Sequence, residues 1–189
     1  AQTSFRDGGG RKSRCTMDVN QAQLVMGFVT PITIRDEEFV AMQLLNVIFG
    51  GGMTSKLFSH IRETLSLCYA IGSGYHGSKG ILTVSAGIDS GMDQTVRQEV
   101  QAQLEACRAG SITAEELKAA KEALRSSLQA THDSPGAIEN YYASAALSGL
   151  RLSPAAYMRQ VETTTLEQIC AAAKTLKLHS VYFLKGVAQ

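Results

Sequence analysis

Proline is scarce in this 189-residue chain, with three residues at positions 31, 135 and 154. Long helices can therefore run without a forced break. Charge of one sign is lacking too. Eighteen Lys and Arg face 17 Asp and Glu for a net charge of +1, so no strong field gathers nucleic acid or an anionic membrane surface. No stretch approaches the roughly 18 to 20 apolar residues of a membrane span, and the N-terminus lacks the basic, apolar and small-residue order of a signal peptide. Cysteine is sparse, and Cys15, Cys68, Cys107 and Cys170 lie far apart with no CxxC. That spacing excludes a disulfide framework and points to buried free thiols in a reducing compartment, so a cytoplasmic location is expected. His60, His76, His132 and His179 are equally scattered, without the paired spacing of a zinc site. What is present is ordinary globular material, 44% hydrophobic and 19% charged, which excludes a wholly disordered chain. The length allows one sizeable domain or two small ones. Ala1 in place of Met suggests a fragment or a processed chain.

Residues 1–14, with Gly8-Gly9-Gly10 and then Arg11, Lys12 and Arg14, read as a solvated linker or tail, leaving 15–189 as a single domain. Residues 22–29 alternate strongly enough to predict an interior strand. Asp36 is positioned to cap a helix through Phe39, Val40, Leu44, Val47 and Ile48, ended by Gly50-Gly51-Gly52. A short helix through Leu57, Phe58 and Ile61 follows. Residues 67–75 and 81–88 both have period two around a turn-like His76–Gly80, which predicts an antiparallel hairpin, with Tyr75 and His76 facing solvent.

Beyond the hairpin the pattern is helical. Met92, Val96, Val100, Leu104 and Cys107 form one stripe, and Leu117, Ala120, Leu124 and Leu128 another. Thr113 with Glu116, and Thr165 with Gln168, have the spacing of capping boxes. Ser134-Pro135 and Ser153-Pro154 each put a cap before a first-turn proline, and Tyr141-Tyr142 should place one ring in and one out. Residues 181–184 close the chain with a strand. The predicted class is α+β, an antiparallel or mixed sheet covered by helices.

The segment LNVIFGGGMTSKLFSHIRETLSLCYAIGSGY, residues 45–75, carries the candidate chemistry. Its glycines and Lys56 could offer a phosphate cradle, but the P-loop spacing is not met, and a helix C-cap leading into a reversal explains the glycines without a ligand. Read alone, Arg62 near a helix end meets the helix dipole, Tyr69 is a half-buried strand residue and His60 lies on a helix surface.

The same segment resembles the second-domain signature of the pitrilysin or insulinase-like (M16-type) zinc peptidases. The glycine triplet, Ser-Lys-Leu-Phe, Ile-Arg-Glu and Leu67-Cys68-Tyr69-Ala70 come in that family's order, and the likeness covers roughly residues 15–185. It implies an M16-type (LuxS/MPP-like) fold. The family's inverted H-x-x-E-H motif is missing here, so the resemblance implies the C-terminal, non-zinc domain. No cofactor is expected in this chain, and zinc is expected on another domain of the complete enzyme. It further implies that Arg62 and Tyr69, seven residues apart, reach that zinc site; His60, one turn before the strand of Tyr69, is by its position a lower-ranked candidate for substrate contact. A phenol hydroxyl suits this task because it can donate to the charge that develops on a carbonyl oxygen. A guanidinium can hold neighbouring carbonyls in its fork of donors. The implied activity is metal-assisted hydrolysis of peptide bonds, with this chain inactive alone. The implied partners are a zinc-bearing N-terminal domain or subunit and a peptide, with no nucleic acid or membrane and with room for a dimer. The alternative is a non-catalytic M16-like subunit or scaffold packing on a partner protein.

Overall fold

In the computed structural model, which describes residues 11–17, 21–132 and 134–186, the alternation of the first apolar segment is realised as strand β2 (Ala22–Val29). Ala22, Leu24, Met26 and Phe28 point to one face and are buried. β3 (Cys68–His76) and β4 (Ile81–Ile88) form the predicted hairpin, and β5 (Lys177–Gly186) closes the chain. Gly80 in the hairpin turn has φ +61°, and a Cβ there would lie 2.4 Å from the Thr30 carbonyl oxygen. Only glycine fits that position.

Arg11–Met17, partly inside the stretch expected to be linker, is strand β1. The correction has a physical cause. β1 runs parallel to β5 at the sheet edge, where charged side chains are tolerated because one side is solvated. Arg14 fits by laying its guanidinium 5.2 Å from the Phe183 ring centroid and pairing with Asp93 at 3.4 Å. Residues 1–10 of the expected linker lie outside the described residues. The sheet order is β1-β5-β2-β4-β3, with every pair except β1–β5 antiparallel. The sheet is mixed and the class is α+β.

Six α-helices accompany it among the described residues: α1 (Phe39–Phe49), α2 (Asp93–Arg108), α3 (Ala114–Gln129), α4 (Pro135–Ser148), α5 (Pro154–Thr163) and α6 (Leu166–Thr175). The core lies between them and one sheet face. Met42, Leu44, Leu45 and Phe49 of α1, Val96 and Val100 of α2, and Ile169 and Ala173 of α6 join the inward residues of β2 and β4. Both capping boxes form, Thr113 with Glu116 and Thr165 with Gln168, and both prolines start helices behind capping serines. Asp36 does not cap α1. Its carboxylate accepts from the Thr33 N–H and hydroxyl, both at 2.7 Å, so it stabilises the turn before the helix instead.

α1 ends where it meets the edge strand β3. The Gly50 carbonyl accepts the Ser73 N–H at 2.8 Å, and the Ser73 hydroxyl donates to the Asn46 side-chain oxygen at 2.8 Å. A Cβ on Gly50 would lie 2.7 Å from Ser73 Oγ and 2.8 Å from Leu57 Cδ1. The glycine thus permits helix and strand to touch.

Candidate functional site

The chain between α1 and β3 is wound as a π-helix, Leu57–Thr64. Leu57 and Ile61 are its buried anchors, and the wide winding places Arg62 in the last turn. Such windings concentrate at functional positions. The exit is tight. Leu65 N–H bonds to the His60 carbonyl at 3.0 Å, Leu67 N–H to the Ile61 carbonyl at 3.0 Å, and Ser66 adopts φ +52°. Ser66 is the one non-glycine with positive φ among the described residues, a conformation costing about 1 kcal/mol.

A β-bulge then decides where Tyr69 points. Ile71, Ser73 and Tyr75 pair with the inward Ala86, Val84 and Leu82, so strict alternation would turn Tyr69 into the core. The register shifts between Cys68 and Ala70, and Cys68 takes the place opposite Ile88. Cys68 is buried as a result, and Tyr69 swings out to 59% exposure. Re-aiming one side chain is what a bulge accomplishes.

Arg62 and Tyr69 consequently line one open cleft of about 480 Å³ with Glu63, Ser66, Cys68 and Asp89. The Arg62 guanidinium lies 4.6 Å from the Phe58 ring centroid. Its Nε is 4.0 Å from Glu63 Oε1, and 41% of its side chain is exposed. The Tyr69 hydroxyl donates to Asp89 Oδ1 at 2.7 Å. That bond, and then the carboxylate's charge, raise the Tyr69 pKa and keep the phenol protonated. Burial raises the Cys68 thiol while the Arg62 charge lowers it. The cleft therefore offers a neutral O–H donor and a cation with accessible N–H groups, the two kinds of donor that bind carbonyl oxygens carrying partial or developing charge.

His60 is not in this cleft. Its Nε2 lies 3.2 Å from Glu99 Oε2 on α2, and it joins the π-helix to that helix. Lys56 is likewise engaged, 2.9 Å from Glu116 with 12% of its side chain exposed, so it is not free to meet a phosphate. Tyr75 corrects the expected solvent-facing hairpin residue. It is partly buried, donates its hydroxyl to the Ile32 carbonyl at 2.8 Å and packs against Phe39. Tyr141 and Tyr142 stack edge to face, the first partly buried and the second exposed. Among the described residues no cluster of three or more His, Cys, Asp or Glu could hold a metal ion, so the side chains here do not fit a zinc site. No helix among them is long and apolar enough to cross a membrane. Sequence reasoning missed Asp89. The hairpin register carried the signal, because pairing outward from the His76–Gly80 turn brings the end of β4 beside the start of β3.

The family profile described as "Peptidase M16 inactive domain" matches residues 2–124. The chain belongs to that family. It is 30% identical over 169 residues to the "Probable inactive metalloprotease YmfF" of Bacillus subtilis, covering 89% of this chain and 40% of that protein. It is 35% identical over 122 residues to an "Uncharacterized zinc protease" of Rickettsia bellii, covering 64% of this chain and 29% of the relative. A conserved protein of Enterococcus faecalis superposes with TM-score 0.90 at 28% identity, covering 98% of this chain and 44% of that one. The peptidase M16 inactive domain from Pseudomonas fluorescens shares the fold, with TM-score 0.81 at 23% identity, covering 95% of this chain and 44% of that chain. The chain thus spans less than half the length of these relatives.

Proposed function

We propose that this M16 inactive domain completes the substrate cleft of a zinc peptidase whose metal is held by another domain, on the same or a partner polypeptide. The observation that carries the reading is the shared cleft: Arg62 and Tyr69 come from different elements, yet a bulge and a π-helical turn bring both to one open surface. In this reading the zinc-bearing partner supplies the activation of water. Within this chain the phenol of Tyr69 donates to the carbonyl oxygen on which negative charge develops. The Arg62 guanidinium holds a neighbouring peptide carbonyl, and the Phe58 ring beneath it limits its rotamers. Both donors act from outside any metal coordination shell and so do not compete for the ion.

A second reading has its own support. The Bacillus subtilis relative is named as inactive, and a domain of this family can serve as a non-catalytic scaffold packed on a partner. Reconstitution separates the two. The chain alone should leave a quenched-fluorescent peptide library intact, and adding a zinc-bearing M16 domain encoded with it should produce cleavage above that domain's own rate. Binding without any gain in turnover would favour the scaffold.

A further inference from the structure

We propose that Asp89 is a positioning residue that clamps Tyr69 over the cleft, an inference that rests on the peptidase reading and adds a third residue to it. Asp89 follows β4 directly, and its backbone is pinned by a turn in which its carbonyl accepts the Met92 N–H at 3.0 Å, just before α2. The carboxylate is thereby fixed beside the bulge that releases Tyr69. The 2.7 Å bond to Asp89 is the phenol's one hydrogen bond among the described residues. A ring 59% exposed and otherwise unheld would sample several rotamers. The bond selects one of them.

The clamp has a second consequence. A phenol has a single proton, so it serves either Asp89 or a substrate oxygen: the bond sets the ring's rotamer and keeps the hydroxyl protonated in the free cleft, and it is exchanged when a substrate oxygen accepts the donation. The other charged or titratable groups lining the cleft are Arg62, Glu63 and Cys68. Tyr69's hydroxyl contacts Asp89 rather than any of these.

The test compares Asp89→Ala, Asp89→Asn and Tyr69→Phe in the full chain. Tyrosinate absorbance is titrated with pH, and subtracting the Tyr69→Phe curve isolates Tyr69. The Tyr69 midpoint should fall toward the ordinary phenol value in Asp89→Ala. It should fall less in Asp89→Asn, which keeps an acceptor oxygen and loses the charge. Reconstituted with the zinc-bearing domain, Asp89→Ala should lose about tenfold in kcat at nearly constant KM, as misplacement of a reacting group costs, and Asp89→Asn should recover part of it. If Tyr69→Phe abolishes turnover while Asp89→Ala changes neither the midpoint nor kcat, the clamp is wrong and the role of Tyr69 stands. If the midpoint falls in Asp89→Ala but Tyr69→Phe turns over like the wild type, the peptidase reading fails and the positioning role falls with it.

Discussion

Gly50→Ala is the sharpest probe of why the glycine triplet is there. The new Cβ would sit 2.7 Å from Ser73 Oγ, 2.8 Å from Ser73 Cβ and 2.8 Å from Leu57 Cδ1. Leu57 is fully buried, and Ser73 is tied to Asn46 and to Gly50 itself, so neither neighbour moves freely. Gly50 has φ −155° and ψ 10°, outside the left-handed region, so the clash and not a positive φ sets the cost. Overpacking of this kind costs about 1–3 kcal/mol. Alanine returns roughly 0.4–1 kcal/mol by stiffening the unfolded chain. The mid-range values of these two effects leave a net loss of about 1.3 kcal/mol. With a urea slope of about 2 kcal/mol/M, the unfolding midpoint should fall by roughly 0.5–1 M. Gly52, with nothing within 4 Å of its Cβ position, is the matched control, and Gly52→Ala should be neutral or slightly stabilising. A Gly50→Ala midpoint within error of the wild type would refute the claim that α1 meets β3 too closely for a side chain.

Other consequences are equally direct. Thr113→Ala removes half a capping box and should cost about 1 kcal/mol. Glu116→Ala should cost more, roughly 2 kcal/mol in urea melts, because it also strands Lys56, its ion-pair partner. Gly80→Ala should destabilise beyond either, through its positive φ and the 2.4 Å approach to Thr30 O. Burial pushes the Cys107 thiol up to about 12. The unfolded state therefore releases this proton first, and stability should hold below the ordinary thiol pKa and then decline as pH rises toward about 12. Burial raises Tyr75 and Tyr157 in the same direction. Urea midpoints measured across the alkaline range should fall for the wild type and fall less steeply for Cys107→Ala.

Most of the scaffold was legible because local chemistry and tertiary structure agree there. The capping boxes, the two first-turn prolines, the hairpin and the period of β2 each state their own conformation. β1 was not legible. Its Arg-Lys-Ser-Arg run has no apolar alternation, and the strand exists because β5 offers an edge to pair with. The Asp36 cap failed because the carboxylate found a closer pair of donors on Thr33. At the candidate site the residue types could be named, and the resemblance pointed to Arg62 and Tyr69. Their direction could not be read, since period two alone sends Tyr69 inward. The bulge is a property of two strands in register, which no single segment encodes. Asp89 was hidden for the same reason, twenty residues from the phenol it holds.

Under the proposed function a phenol and a guanidinium share one open surface and act on a peptide. The most direct measurement is kcat of the chain reconstituted with a zinc-bearing M16 domain encoded with it, for the wild type, Tyr69→Phe and Arg62→Ala. Each variant should lose more than about tenfold with an unchanged circular dichroism spectrum. Wild-type turnover in both would contradict it.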